Sequence, residues 1–120
     1  MRLLHISDTH NLHRALHNLP AADIIVHSGD ISMAGTGKEV NDFVEWFAKL
    51  DYAHKIFIAG NTYGCADLLL AVLKIAPRYH LFGHIHAAYG IEKWGTTTFV
   101  NAALVNEHYE MDRKAFVFDL

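Results

Sequence analysis

Residues 3–10 read LLHISDTH, an apolar run that stops at a serine and an aspartate. This pattern predicts a buried strand over Leu3–Ile6, with the polar residues in the loop that follows it. The same arrangement recurs at three further predicted strands, each followed within two residues by a glycine: Asp23–His27, Lys55–Ala59 and Tyr79–Phe82. The first part of the chain is therefore built from strands that end in polar, glycine-containing loops.

Two helices are expected between these strands. Thr36 and Glu39 form a Thr-x-x-Glu capping box ahead of apolar residues at helical spacing, and Gly64–Ala76 predicts a second helix. The alternation of strands and helices predicts a mainly parallel sheet covered by helices. After Gly83 the pattern changes to three short predicted strands, expected to form an antiparallel meander: Ile91–Trp94, Thr97–Val100 and Ala115–Phe118.

The composition limits the functions to consider. With 120 residues, 52% hydrophobic and 19% charged, residues 1–120 are expected to form a single domain with its own core. The net charge of −3 argues against binding a nucleic-acid duplex, and the longest apolar run is too short for a membrane span. The single cysteine and the absence of a signal-peptide core lead us to expect a cytoplasmic protein, whose oligomeric state stays open.

Potential metal ligands fall in the loops that follow the predicted strands. Ten histidines are present, and the loop residues of interest are Asp8, His10, Asp30, Asn61, His84 and His86. Because the carboxyl ends of parallel strands meet at one edge, we expect these side chains to converge there. Their oxygen and nitrogen donors suit Mn, Fe, Zn or Mg ions. One carboxylate can bridge two ions, and paired ions clamp a phosphate, so the residues predict a two-metal hydrolase.

Four motifs and their order along the chain resemble the calcineurin-like metallophosphoesterase superfamily over residues 3–101. They are Asp8-Thr9-His10, Gly29-Asp30, Gly60-Asn61 and Gly83-His84-Ile85-His86. The resemblance implies an α/β fold, a two-sheet αββα sandwich of mixed sheets with helices outside. It implies one ion held by Asp8, His10, Asp30 and His86, and a second held by Asp30, Asn61 and His84. It also implies a bridging hydroxide that attacks a small phosphomonoester or phosphodiester.

The sequence departs from the family after Asn61, where the family's Gly-Asn-His motif would place a histidine and this chain has Thr62 and Tyr63. That histidine normally protonates the leaving group or steadies the transition state, so no catalytic general acid is located. One explanation is a catalytically silent metal-binding scaffold or regulatory module of the same fold. The favoured explanation is that the natural chain has a segment between Asn61 and Thr62 that this sequence lacks; a natural protein of only 13.5 kDa would exclude it.

Three other histidines could have either a functional role or an ordinary structural one. His13 follows His10 by three residues and is a candidate substrate contact, although an exposed position is favoured. His5 and His27 lie in predicted strands and are expected to be packed in the core.

A nucleotide-binding module without metal remains a further alternative function, although no Gly-x-Gly-x-x-Gly fingerprint follows a strand.

Overall fold

Two mixed sheets carry the fold in the computed structural model, which describes residues 1–58 and 66–120. The strands are β1 Arg2–Ile6, β2 Ile24–His27, β3 His54–Phe57, β4 Tyr79–Phe82, β5 Gly90–Trp94, β6 Thr97–Asn101 and β7 Phe116–Asp119. The helices are α1 Gly37–Lys49 and α2 Ala66–Ile75, with short 3-10 helices at His13–Ala15 and His86–Ala88. The predicted α/β class with two mixed sheets is confirmed.

The first sheet has the order β3-β2-β1-β7. β1 pairs with β2 and β2 pairs with β3 in parallel, while β7 lies antiparallel to β1 with Leu3 opposite Phe118. The second sheet has the order β4-β6-β5, in which β6 pairs in parallel with β4 and antiparallel with β5.

Two sequence-based expectations of strand pairing are wrong. The last strand, β7, does not complete a meander with β5 and β6 but pairs with β1 in the first sheet. In addition, β4 does not extend the parallel sheet of the first three strands and lies in the second sheet beside β6. The physical reason is that apolar alternation marks a segment as a strand, whereas the choice of partner depends on long-range packing that a local pattern does not contain.

Helix α1 covers one face of the first sheet. Thr36 accepts a hydrogen bond from the Glu39 backbone N–H, and the Glu39 side chain accepts one from the Thr36 backbone, so the predicted capping box is present. Phe43 stacks on Phe47 with ring centroids 5.3 Å apart. Both rings belong to the buried core, whose other members are Leu4, Ile6, Ile25, Ile31 and Leu104.

The two sheets meet at the carboxyl end of β1. Ser7 forms a parallel bridge with Ala103, and the Leu104 backbone N–H donates to the Ser7 carbonyl at 3.0 Å. On the other side of this segment, the Ala102 N–H donates to the Phe82 carbonyl at 3.0 Å. The chain that follows β6 therefore joins the ends of β1 and β4 and brings their loops together. No helix in the described ranges is both long and apolar enough to cross a bilayer.

Candidate metal centre

The loops at this junction are held in an unusual backbone conformation. Asp8, His10, Asp30 and His84 all have positive φ values, between 40° and 73°. Such angles cost non-glycine residues roughly 1–3 kcal/mol each and persist only where the surroundings enforce them. Here the Asp8 N–H donates to the Gly29 carbonyl and the His10 N–H donates to the Asp30 carbonyl, each at 3.0 Å. The loop after β1 is thus fastened to the loop after β2.

Four of the predicted ligands form one cluster. Asp8, His10, Asp30 and His86 each offer a donor atom, and these atoms all lie within 4.8 Å of one another. His86 Nε2 is 3.2 Å from Asp8 Oδ1, and His10 Nε2 is 3.8 Å from the same oxygen and 3.9 Å from Asp30 Oδ2. The structure therefore brings together the four residues that the resemblance assigns to the first ion.

Two atoms of the cluster indicate that the donor set fits a cation. Among the described residues, the buried His10 Nε2 and Asp30 Oδ1 have no hydrogen-bond partner. His10 is oriented by its other ring nitrogen, Nδ1, which lies 3.2 Å from the Ser32 carbonyl. A histidine whose Nδ1–H is held by a carbonyl presents the Nε2 lone pair, which is the usual arrangement around a metal-ligating imidazole. Unpaired buried polar atoms are costly, and a divalent ion would satisfy both.

Asp8 is fixed as an anion. Its carboxylate accepts hydrogen bonds from the Ser7 hydroxyl at 2.5 Å and from the His84 backbone N–H, which lies 2.8 and 2.7 Å from its two oxygens. Burial alone would raise the pKa of Asp8, but its interactions with His10, Ser7 and the His84 N–H outweigh this and lower the pKa to about 2. For His10 the effect of burial has the opposite sign and lowers the pKa. The neighbouring carboxylates of Asp8 and Asp30 more than compensate, so the pKa of His10 is raised above its ordinary value.

The residues assigned by resemblance to a second ion are placed in part. His84 Nδ1 lies 2.8 Å from Asp30 Oδ2, so these two side chains are in contact. Asp30 thus has one oxygen directed at His84, while its other oxygen has no hydrogen-bond partner among the described residues. Asn61, and with it the Asn61–Thr62 junction, lies outside the described residues.

The loop that carries His84 and His86 is positioned by two residues outside the predicted set of ligands, Arg113 and Asn101. Arg113 Nη1 donates to the His86 carbonyl and to the Val105 carbonyl, the latter at 2.9 Å. Asn101, at the end of β6, donates to the Ile85 carbonyl at 2.7 Å. A polar residue at the end of a predicted strand is a signal that could have indicated Asn101, whereas Arg113 follows no strand and offers none.

The remaining candidate, His13, is not exposed as the sequence led us to expect. Its ring is fully buried, its Nε2 lies 2.8 Å from Asp42 Oδ2, and it packs against Phe43 and Trp46. These contacts account for His13 as a packed residue that joins the loop after β1 to α1, and a direct substrate contact stays a prediction.

The predicted core positions of His5 and His27 agree with the structure. Both rings are fully buried; His5 Nε2 lies 2.8 Å from the Ser28 hydroxyl, and His27 Nε2 lies 3.0 Å from the Thr9 hydroxyl. Burial lowers the pKa of His5 to about 4 and that of His27 to about 3. Both imidazoles are therefore neutral and structural near neutral pH.

The fold and this cluster define an α/β protein with a candidate metal centre at the junction of two mixed sheets. A family model described as calcineurin-like phosphoesterase matches residues 1–70. The chain belongs to the calcineurin-like phosphoesterase family.

Three relatives illustrate the range of similar proteins. The human metallophosphoesterase domain-containing protein 1 is 45% identical over 58 residues, which are 48% of this chain and 18% of the relative. A UPF0046 protein of Caenorhabditis elegans is 42% identical over 62 residues, 51% of this chain and 16% of the relative. A probable rhamnogalacturonate lyase C of Emericella nidulans is 39% identical over 61 residues, 51% of this chain and 6% of the relative. The chain spans less than a fifth of the length of these relatives.

Proposed function

We propose that this chain carries the metal centre of a two-metal phosphoesterase that hydrolyses small phosphodiesters or phosphomonoesters in the cytoplasm. The observation that carries the proposal is the cluster of two buried carboxylates, one buried imidazole and one partly buried imidazole, in which two donor atoms have no hydrogen-bond partner among the described residues. Membership of the phosphoesterase family supports the same class of reaction.

The donor set divides between two positions. Asp8, His10, Asp30 and His86 would hold one divalent ion, and Asp30, His84 and Asn61 would hold the other. The ions, when bound, would supply Lewis-acid stabilisation of phosphate charge and activation of water near neutral pH. Mn, Fe, Zn and Mg all suit these ligands.

The protein's own contribution is to keep the donors charged, aligned and shielded from water. Asp8 stays ionised far below neutral pH because Ser7, His10 and the His84 N–H stabilise its charge. His10 is held with Nε2 towards the cluster by its contact with the Ser32 carbonyl. Both carboxylates are almost completely buried, and groups preorganised in this way need little rearrangement when charge develops on a bound phosphoester.

A catalytically silent metal-binding scaffold is the second candidate. The observation in its favour is that Thr62 and Tyr63 follow Asn61, where the family's motif would supply the general-acid histidine. Such a module would bind divalent ions through the same cluster and turn over no phosphoester. A metal-independent nucleotide-binding module would bind no divalent ion at all, so metal content and turnover separate the three functions.

The test is Mn²⁺-dependent hydrolysis of bis(p-nitrophenyl) phosphate together with the metal content of the same samples. The decisive variant is Asp30→Asn, because Asp30 is the only proposed ligand shared by both ions; we expect it to lose both metals and at least about 100-fold in turnover. Asp51→Asn is the matched control, since Asp51 is an exposed aspartate in the loop before β3, at the opposite end of the sheet. Full metal content and activity in Asp30→Asn would refute the two-metal assignment, and metal binding without turnover in the unsubstituted chain would favour the scaffold.

A further inference from the structure

An aromatic side chain from a distant part of the chain lies against the candidate metal centre. The Tyr109 ring is 5.0 Å from the His10 ring at an interplanar angle of 74°, and 5.2 Å from the His86 ring at 83°. These are edge-to-face contacts with two of the proposed ligands, which themselves lie 5.4 Å apart at 72°. The three rings therefore form one continuous aromatic group at the edge of the cluster.

The exposure of Tyr109 distinguishes it from the ligands that it touches. Its relative exposure is 49%, whereas His10 is 8% exposed. A tyrosine that only packed two imidazoles in place would gain most by being buried on all sides. Instead, about half of this residue remains open to solvent beside the polar cluster, which leaves apolar surface available to a bound molecule.

The backbone holds Tyr109 in this position at a cost. Its φ of 60° lies in the left-handed region, which is rare for a bulky residue. The Asn106 side-chain oxygen accepts hydrogen bonds from the N–H groups of His108 and Glu110, at 2.8 and 3.1 Å, and the Tyr109 N–H donates to the Asn106 carbonyl at 3.0 Å. The turn is thus closed on itself by Asn106, and strain maintained in this way is typical of functional positions.

We propose that Tyr109 is a specificity-determining residue that contacts the organic substituent of the bound phosphoester and favours aromatic substituents. This inference rests on the proposed function, because the phosphoryl group is taken to sit at the cluster of carboxylates and imidazoles. A substituent that projects from that phosphoryl group towards the open side of Tyr109 meets an aromatic ring. Aromatic groups prefer such a partner in stacked or edge-to-face geometry, and stacking tolerates many ring types.

The test compares binding of two non-hydrolysable probes, phenylphosphonate and methylphosphonate, by calorimetry in the presence of Mn²⁺. We expect the unsubstituted chain to bind phenylphosphonate more tightly. Tyr109→Ala should reduce this preference by about 2- to 12-fold, the range expected for the loss of one aromatic pair. Tyr109→Phe keeps the ring and should retain the preference within about twofold.

Two further variants keep the test decisive. Tyr109→Asn removes the ring with a residue that tolerates positive φ, so it replaces the alanine variant if that variant does not fold. Tyr52→Ala removes a tyrosine at the opposite end of the sheet, where its hydroxyl donates to the Pro20 carbonyl, and should leave the preference unchanged. An unchanged preference in both Tyr109→Ala and Tyr109→Asn, or no binding of either phosphonate by the unsubstituted chain, would overturn the proposal.

The binding measurement separates this inference from the proposed function. If bis(p-nitrophenyl) phosphate is hydrolysed but the phenyl preference does not depend on Tyr109, the phosphoesterase proposal stands and the role of Tyr109 is refuted. If no substrate is hydrolysed but the preference is lost in Tyr109→Ala, the role of Tyr109 in ligand selection stands and the catalytic proposal fails.

Discussion

Replacement of Gly83 by alanine should damage both the fold and the metal centre. A Cβ atom at this position would lie 1.9 Å from the Ser7 hydroxyl oxygen, 2.0 Å from Asp8 Oδ2 and 2.7 Å from Ser7 Cβ. All three distances are far below a normal non-bonded contact. Ser7 and Asp8 are fully buried at the end of a central strand, so neither has room to retreat.

The size of the effect follows from how the clash can be relieved. If Gly83 moves away, the His84 N–H leaves the Asp8 carboxylate, which it now approaches to 2.7 and 2.8 Å. Overpacking of a well-packed interior costs about 1–3 kcal/mol, and a hydrogen bond to a charged group contributes about 1.5–3 kcal/mol. We therefore expect Gly83→Ala to lower the free energy of unfolding by about 2.5–6 kcal/mol and to weaken divalent-ion binding in parallel.

Urea unfolding followed by circular dichroism gives the stability, and Mn²⁺ titration gives the ion affinity. Gly37→Ala is the matched control: a Cβ there meets nothing within 4 Å, and its position in the first turn of α1 favours alanine, so its stability should be unchanged or slightly raised. A Gly83→Ala variant as stable as Gly37→Ala, with unaltered Mn²⁺ affinity, would refute the argument that this close approach builds the site.

Two further predictions concern buried histidines. His13→Ala should lower the free energy of unfolding by about 1–3 kcal/mol in urea titrations, because it removes a buried ring and its contact with Asp42. The metal content per folded chain should stay unchanged. Loss of metal in this variant would instead place His13 in the metal centre. Acidification of metal-free protein from about pH 7.5 to about pH 5 should cost about 2 kcal/mol for each of His5 and His27. With pKa values of about 4 and about 3, both histidines stay neutral in the folded chain, whereas in the unfolded chain they gain protons below pH 6.5. Stability is therefore lost as the pH falls from about 7.5 to about 5. A urea midpoint that does not change with pH would contradict this prediction.

The cluster of candidate ligands was predictable because its signals are local. Each proposed ligand, or pair of ligands, closely follows an apolar run that forms a strand. A residue just after the end of a strand lies at the edge of the sheet, so the ligands meet there. Asp8, His10, Asp30, His84 and His86 therefore come together even though β4 lies in a different sheet from the one expected. What mattered was that the end of β4 reaches the end of β1, as the contact of the His84 N–H with Asp8 shows.

Strand pairing and the residues that contact the proposed ligands from outside were not predictable in the same way. The pairing of β1 with β7 joins Arg2 to Asp119, at opposite ends of the chain, and nothing in either segment specifies the other. Tyr109 reaches His10 and His86 only because the turn around Asn106 follows the segment that links the two sheets. The contacts of Arg113 with the His86 and Val105 carbonyls depend on the same long-range arrangement.

The position of the site at the junction of the sheets links ion binding to the stability of the fold. Asp8 and Asp30 belong to loops of the first sheet, and both contact His84, which follows β4 of the second. Two buried carboxylates so close together repel each other. Asp30 Oδ1, which has no hydrogen-bond partner in the part of the chain that the structure describes, adds a desolvation cost that a cation would remove. An ion that binds only the folded chain stabilises it by RT ln(1 + [L]/Kd), about 2.7 kcal/mol at a hundredfold excess over Kd. Substitutions that separate the two sheets at this junction should therefore lose ion affinity in proportion to stability, whereas substitutions elsewhere in the core should lose stability alone.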